Sequence, residues 1–244
     1  MVHSLRKNLL FCLLALSAPA MAYILPGGSL LRRMAKARTQ LDANRFQVEG
    51  TFVFRGVAAK EVSAGLNLGD DKSELQGEGK FSFKTPSQCG LDLKSIEARK
   101  KLKVHLDAGP ATRATFPYLH VLIEQLCPLF SHGDESGFRG AVDKNLRHLG
   151  IDFRITSLDR LETQIAYVLG ETRPEKPQFW LYKSTFFPAR VHFPFRQGPL
   201  LDLNLTNYSS PVTSEIFPGK IQLTQGQDEL IRFNAVKTGP SLPE

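Results

Sequence analysis

Imidazole is the side chain best suited to proton transfer and metal binding near neutral pH, and after His3 the chain carries five: His105, His120, His132, His148 and His192. Their spacing supports neither chemistry. There is no HExxH pair, no pair of histidines at helical spacing beside an acid, and no GxSxG elbow. His105 and His192 fall on the polar parity of strand-like runs, which predicts solvated surface positions. His120, His132 and His148 lie on or near helical segments and could gather, but no local pattern requires it. The stretch "SHGDESG" at 131–137 has few of the positional oxygens of a calcium loop and reads as a connector between helices. "LNLGDDKSELQGEGK" lacks the strand-to-helix context of a phosphate loop and reads as a polar turn region. Asn204 and Asn207 match the glycosylation pattern, which is common by chance and carries no function here. The expectation is a protein that is not an enzyme and holds no metal or cofactor.

A second candidate for chemistry is "FFPARVHFPFR", residues 186–196. Aromatic rings interleaved with Arg190, His192 and Arg196 would suit base stacking if ring and charge shared a face. Parity separates them: Phe187, Ala189, Val191, Phe193 and Phe195 share one side, the charged residues the other. Pro188 and Pro194, lacking a ladder donor, belong at a strand end, an edge or a bulge. Nucleic acid is not expected as a partner.

The first 22 residues read as an export signal. Arg6 and Lys7 precede the apolar run Leu9 to Leu16, and Ala20-Met21-Ala22 has the small-x-small form of a cleavage site. The run is shorter than the roughly 20 residues of a membrane span. Cleavage after Ala22 would leave 222 residues and lower the net charge from +7 to +5, since the signal carries two bases and no acid. That charge falls short of the dense basic stripe of a nucleic-acid binder. A chain of this size suits one domain, expected over 23–238 with a flexible tail at 239–244. No later stretch is apolar enough to span a membrane, so a periplasmic location without stable membrane insertion follows. Cys89 and Cys127 then form an even pair in an oxidising compartment, which predicts a disulfide, with two buried free thiols as the alternative. Neither cysteine belongs to a CxxC pair, so a zinc ribbon or thioredoxin-like site is not supported.

Apolar residues alternate through ten runs: Phe46 to Phe54, Phe81 and Phe83, Cys89 to Leu93, Leu102 to Leu106, Ile151 to Ile155, Ile165 to Leu169, Phe187 to Phe195, Leu201 to Leu205, Ile221 and Leu223, and Ile231 to Ala235. Such runs predict about ten strands of a largely antiparallel sheet with one dry face. Most last five to seven residues, short of the 9–11 of a membrane barrel. Three helices are predicted: Ser29 to about Ala43, with Leu30, Met34, Ala37 and Leu41 on one stripe; Thr115 until Pro128 disrupts it; and a helix capped by Asp134 and ended by Gly150. A long antiparallel sheet with so few helices must cover its dry face by curling. The predicted class is α+β, a curved, half-open antiparallel β-barrel with an N-terminal helix and two central helices as lid, and a two-sheet sandwich stays open as the alternative.

Four stretches in this order resemble the outer-membrane lipoprotein-carrier (LolA/LolB-like) superfamily. They are "ARTQLDANRFQVEGTFVFRG", "GEGKFSFKTP", "FWLYKSTFFPARVHF" and "LNLTNYSSPVTSEIFPGKIQLTQGQDELIRFNAV", together 79 of the 222 residues after the signal. The resemblance implies an unclosed barrel plugged by helices that shelters acyl chains of lipids or lipoproteins in the periplasm. Where carriers have an arginine before the hairpin proline, this chain has Thr85 before Pro86. That departure counts against handover by the carriers' own mechanism. The residues expected to line an acyl-chain site are Met34, Leu41, Phe52, Phe54, Phe81, Phe83, Val191, Phe193 and Phe195, each of which also reads as plain core. The other function expected of this fold is an envelope protein-interaction or stress-sensing module with a filled interior.

Overall fold

Residues 24–41, 45–69, 72–85, 88–96, 100–131, 134–196 and 198–240 are described by the structure, a computed structural model. The expected export signal at 1–22 and His132 lie outside them. In chain order the elements are α1 (Gly27–Thr39), β1 (Phe46–Arg55), α2 (Gly56–Gly65), β2 (Glu74–Phe83), β3 (Cys89–Ile96), β4 (Lys100–Asp107), α3 (Pro110–Thr115), α4 (Pro117–Phe130) and α5 (Glu135–His148). Seven strands follow: β5 (Thr156–Leu161), β6 (Gln164–Leu169), β7 (Gln178–Tyr182), β8 (Pro188–Phe193), β9 (Leu201–Thr206), β10 (Lys220–Gln225) and β11 (Asp228–Pro240).

The strands form one antiparallel sheet in the order β4-β3-β2-β1-β11-β10-β9-β8-β7-β6-β5. Two meanders therefore meet where the first strand pairs with the last, with Phe52 opposite Phe233 and Phe54 opposite Ile231. The ends of the sheet, β4 and β5, are not joined to each other, so the curved sheet is a half-open α+β barrel. Burial alternates strictly along β1, β2 and β9. It puts Phe46, Val48, Phe52, Phe54, Phe81, Phe83, Leu201, Leu203 and Leu205 inside.

Helix α4 is apolar nearly all round, and twelve of its fourteen residues are buried. Such a helix belongs in an interior rather than on a surface. It packs against β3 and β4 on one side and α5 on the other, and α5 in turn packs on α1. The predicted disulfide forms: Cys89, opening β3, is bonded to Cys127 in α4, with a Cα–Cα separation of 5.7 Å. Helix α5 begins as expected, Asp134 Oδ1 accepting the Gly137 amide.

Several sequence expectations are corrected. Pro128 does not end α4, which continues to Phe130; so late in the helix the proline removes a single bond, and the Ser131 amide still donates to the Cys127 carbonyl. Ile151 to Ile155 is not a strand. Gly150, at φ 78°, closes α5 with the Gly150 amide on the Arg147 carbonyl and the Ile151 amide on that of Leu146, so Ile151 is buried by a helix-end motif rather than by sheet parity. Strand β7 is buried at every position, leaving no alternation to read. Helix α2 was missed because it buries only Ala58, Ala59, Val62 and Ser63, too little for a recognisable stripe. Helix α1 starts at Gly27 with Pro26 as its cap, not Ser29. The last strand runs to Pro240, pairing Gly239 and Pro240 with Gln47 and Phe46, and the rest of the expected tail, 241–244, lies outside the described residues.

Candidate functional site

The inner face of β1 and β2 is a continuous bed of rings. Phe52 stacks on Phe54 at 5.4 Å, lies 5.7 Å from Phe81 and 4.7 Å from Phe233 of β11, and Phe81 lies 6.0 Å from Phe83. Phe130, the last residue of α4, reaches Phe83 at 5.9 Å. Phe217, from the connection between β9 and β10, touches Phe46, Phe81, Phe83, Phe130 and Phe233. Edge and tilted contacts of this kind add about 0.5–1.5 kcal/mol per pair beyond simple burial.

Seven of the nine sequence-predicted lining residues lie where parity or helical spacing puts them, and Leu41 lies past the end of α1 at Thr39, short of the predicted helix to Ala43. Met34, Phe52, Phe54, Phe81, Phe83, Val191 and Phe193 are at most 1% exposed, and Leu41 is half-buried against the same core. Phe195 is the other exception. Strand β8 stops at Phe193 before Pro194, and the half-buried Phe195 ring packs on Tyr118 at the start of α4, 4.9 Å away. Phe217 and Phe130 were not singled out in the sequence; Phe217 follows no strand period, and only its aromatic type before Pro218 was visible.

Beside Tyr118 lies Glu61 of α2, whose Oε2 accepts the Tyr118 backbone amide at 3.0 Å, with the Arg196 guanidinium 3.9 Å from Oε1. Burial pushes this carboxyl up to about 7, against the opposing pull of the Tyr118 amide and Arg196. Arg196 also lies over the rings of Tyr118 and Phe195. These contacts tie the connection after β8 to α2 and α4.

At the far end of α4, Arg38 of α1 is buried, its guanidinium over the Phe130 ring at 4.9 Å and its Nη1 donating to the Ile216 carbonyl. Burial lowers its pKa to about 10, with Tyr208 acting weakly in the other sense. Tyr208 is itself buried, donates its hydroxyl to the Pro188 carbonyl, and is held well above its usual range by burial.

The outer face corrects the expectation for His192. Rather than solvated, its ring is only 9% exposed, with Nδ1 2.8 Å from Asp202 Oδ1 and Nε2 2.7 Å from the Pro174 carbonyl. Both ring nitrogens thus face an oxygen, one of a side chain and one of the backbone. Arg190 donates to the same Asp202 at 2.5 Å and lies over Trp180. Burial would raise the Asp202 carboxyl, but the hydrogen bonds from His192 and Arg190 outweigh it and hold the group below its ordinary value. This cluster clamps the connection between β6 and β7 onto the sheet.

The other described histidines stay apart in role. His120 is buried with Nε2 on the Ala108 carbonyl, His105 is exposed beside Asp92, and His148 is exposed. Among the described residues no group of three His, Cys, Asp or Glu side chains is placed to hold a metal ion. Among them, too, no helix is long and apolar enough to cross a membrane.

The sequence matches no protein-family model and no curated protein. Its structure is similar to that of a LolA superfamily protein from Nitrosomonas europaea, at 12% identity over 90% of this chain and 96% of that one, with a TM-score of 0.48. It is also similar to a DUF1329 family protein from Desulfovibrio piger, at 11% identity over 87% of this chain and 90% of the other, with a TM-score of 0.43. At such identities the likeness concerns the course of the backbone and nothing that either protein binds.

Proposed function

We propose that the protein is an exported, periplasmic binding module that shelters acyl chains of lipids or lipoproteins, without catalysis and without a cofactor. One observation carries this reading: the ring bed of β1, β2 and β11 is covered by a helix and a loop rather than by a second sheet. A helix can draw back from a sheet without breaking the strand ladder. Each methylene then buried against the rings contributes about 0.8 kcal/mol, so an acyl chain of about ten methylenes brings on the order of 8 kcal/mol against the cost of opening.

A second reading has its own support. The rings are fully buried and in contact with one another, as in a filled core. On that reading the fold serves as an envelope protein-interaction module, and its outer surface does the binding.

Native mass spectrometry of protein purified gently from an envelope fraction, combined with uptake of a fluorescent fatty acid, separates the two. Co-purifying lipid and saturable uptake are expected. Absence of both overturns the acyl-chain reading and leaves the interaction module.

A further inference from the structure

Arg55, Arg147, Arg154, Arg173, Arg190 and Arg232 each reach a carboxylate. Arg38 is more deeply buried than any of them, yet among the described residues it forms no ion pair. Its Nη1 is satisfied by the Ile216 carbonyl, while its Nε is buried and has no acceptor among the described residues. A guanidinium meets carboxylates and phosphates side-on through Nε and Nη2, and on that edge of Arg38 the buried Nε lacks a partner among the described residues, while the Ile216 carbonyl sits on Nη1 beside it. Leaving a charged donor buried and unpaired is costly, and folds retain such a group when something else satisfies it.

What sits against Arg38 is the connection Asn207–Gly219. Apart from the Arg38 bond and the Ala235 amide on Gly219, its backbone bonds are local turns: Ser210 and Gly219 amides on the Asn207 carbonyl, Thr213 and Ser214 on Ser210, and Ile216 on Thr213. Two adjacent residues that are not glycine, Ser214 and Glu215, adopt the left-handed region at φ 47° and 65°. That conformation is unfavourable for both and gives the segment a reason to rearrange. The segment also carries Phe217, whose ring fills the centre of the aromatic bed, 4.8 Å from Phe130 and 5.3 Å from Phe83.

Ile216 and Phe217 are consecutive, so one dipeptide puts a carbonyl oxygen on a buried guanidinium and an apolar group among the rings beside it. That is the outline of an amphiphile with an anionic head. We infer that Arg38 anchors the carboxylate or phosphate of an amphiphilic ligand whose tail takes the place of the Phe217 ring, and that Asn207–Gly219 is the gate occupying this site in the closed protein. The inference rests on the acyl-chain reading for the tail; the anion site stands on Arg38 alone. Exposed Arg32, Arg33 and Lys36 on α1, a helix with no acidic residue, add a positive field that attracts such a head.

The test is titration of the full-length exported protein with dodecanoate, with dodecanol as its neutral counterpart, and with inorganic phosphate, read by calorimetry and thermal shift. Dodecanoate is expected to bind at least tenfold more tightly than dodecanol, and Arg38→Met to abolish that preference. Phe217→Ala, which vacates the tail's place, is expected to tighten dodecanoate severalfold. Equal affinity of the wild-type protein for the two amphiphiles, or a preference that survives Arg38→Met, overturns the inference. If Arg38→Met does not fold, Arg38→Lys keeps the charge without the side-on fork and is expected to lose most of the preference; should neither variant fold, the wild-type comparison decides. If neither amphiphile binds, the acyl-chain reading fails. An Arg38-dependent thermal shift with phosphate would then keep the site as one for a free anion, and no such shift would remove the site as well.

Discussion

Gly50 lies beneath the ring of Phe233: a Cβ at position 50 would come within 2.4 Å of that ring and 2.3 Å of the Asn234 carbonyl oxygen. The aromatic bed is thus seated on a strand that leaves room for it. Gly79, opposite Gly50 on β2, does the same for Phe52, whose ring would lie 2.8 Å from an added Cβ. Gly50→Ala is expected to destabilise the fold by about 1–3 kcal/mol through overpacking. Gly28→Ala is the control, since its Cβ in the exposed first turn of α1 would meet nothing within 4 Å, and it should be neutral or stabilise by up to about 1 kcal/mol. Urea unfolding of both variants reads the contrast, and equal midpoints would reject it.

The Cys89–Cys127 bond joins β3 to the helix that plugs the sheet, across a separation of 38 residues. Chain entropy alone puts its contribution at about 4 kcal/mol. Replacing both cysteines by serine should cost roughly that amount and should also speed fatty-acid uptake, because α4 is then held by packing only. Denaturant curves with stopped-flow uptake test both halves. A variant that loses stability but keeps wild-type uptake kinetics would mean that α4 does not move.

Glu61 supplies a pH dependence with a definite sign. Its carboxyl is raised from 4.5 to about 7, chiefly by burial, with the Tyr118 amide and Arg196 pulling the other way. A group that binds its proton more tightly when folded stabilises the fold fully below its unfolded value, and that stabilisation is lost as pH rises through the folded value. The thermal midpoint should therefore fall between about pH 4.5 and 7 and level off above. Glu61→Gln, which keeps an acceptor for the Tyr118 amide, should flatten the profile. An unchanged slope in the variant would assign the dependence to other groups.

Legibility followed locality. Phe52, Phe54, Phe81 and Phe83 could be found because alternation within one strand fixes the face on which a side chain stands. The same rule gave His192 its correct outward direction but not its environment. Parity names a face, and the Pro174 carbonyl that covers it comes from a connection 18 residues away. Phe195 failed one residue past Pro194, where the strand and its period had ended. Arg38 and Ile216 are 178 residues apart, and no pattern along the chain could show that they meet.

The pairing of β1 with β11 at the middle of the sheet sets an order of assembly. A polypeptide delivered from its N-terminus can pair β1 through β4 early, yet their inner face stays half-covered until Asp228–Pro240 arrives to lie beside β1. The seam is a contact between residues nearly the whole chain apart, the kind that slows folding most. Among the described strands, the one that locks β1 in place is therefore the last to be delivered.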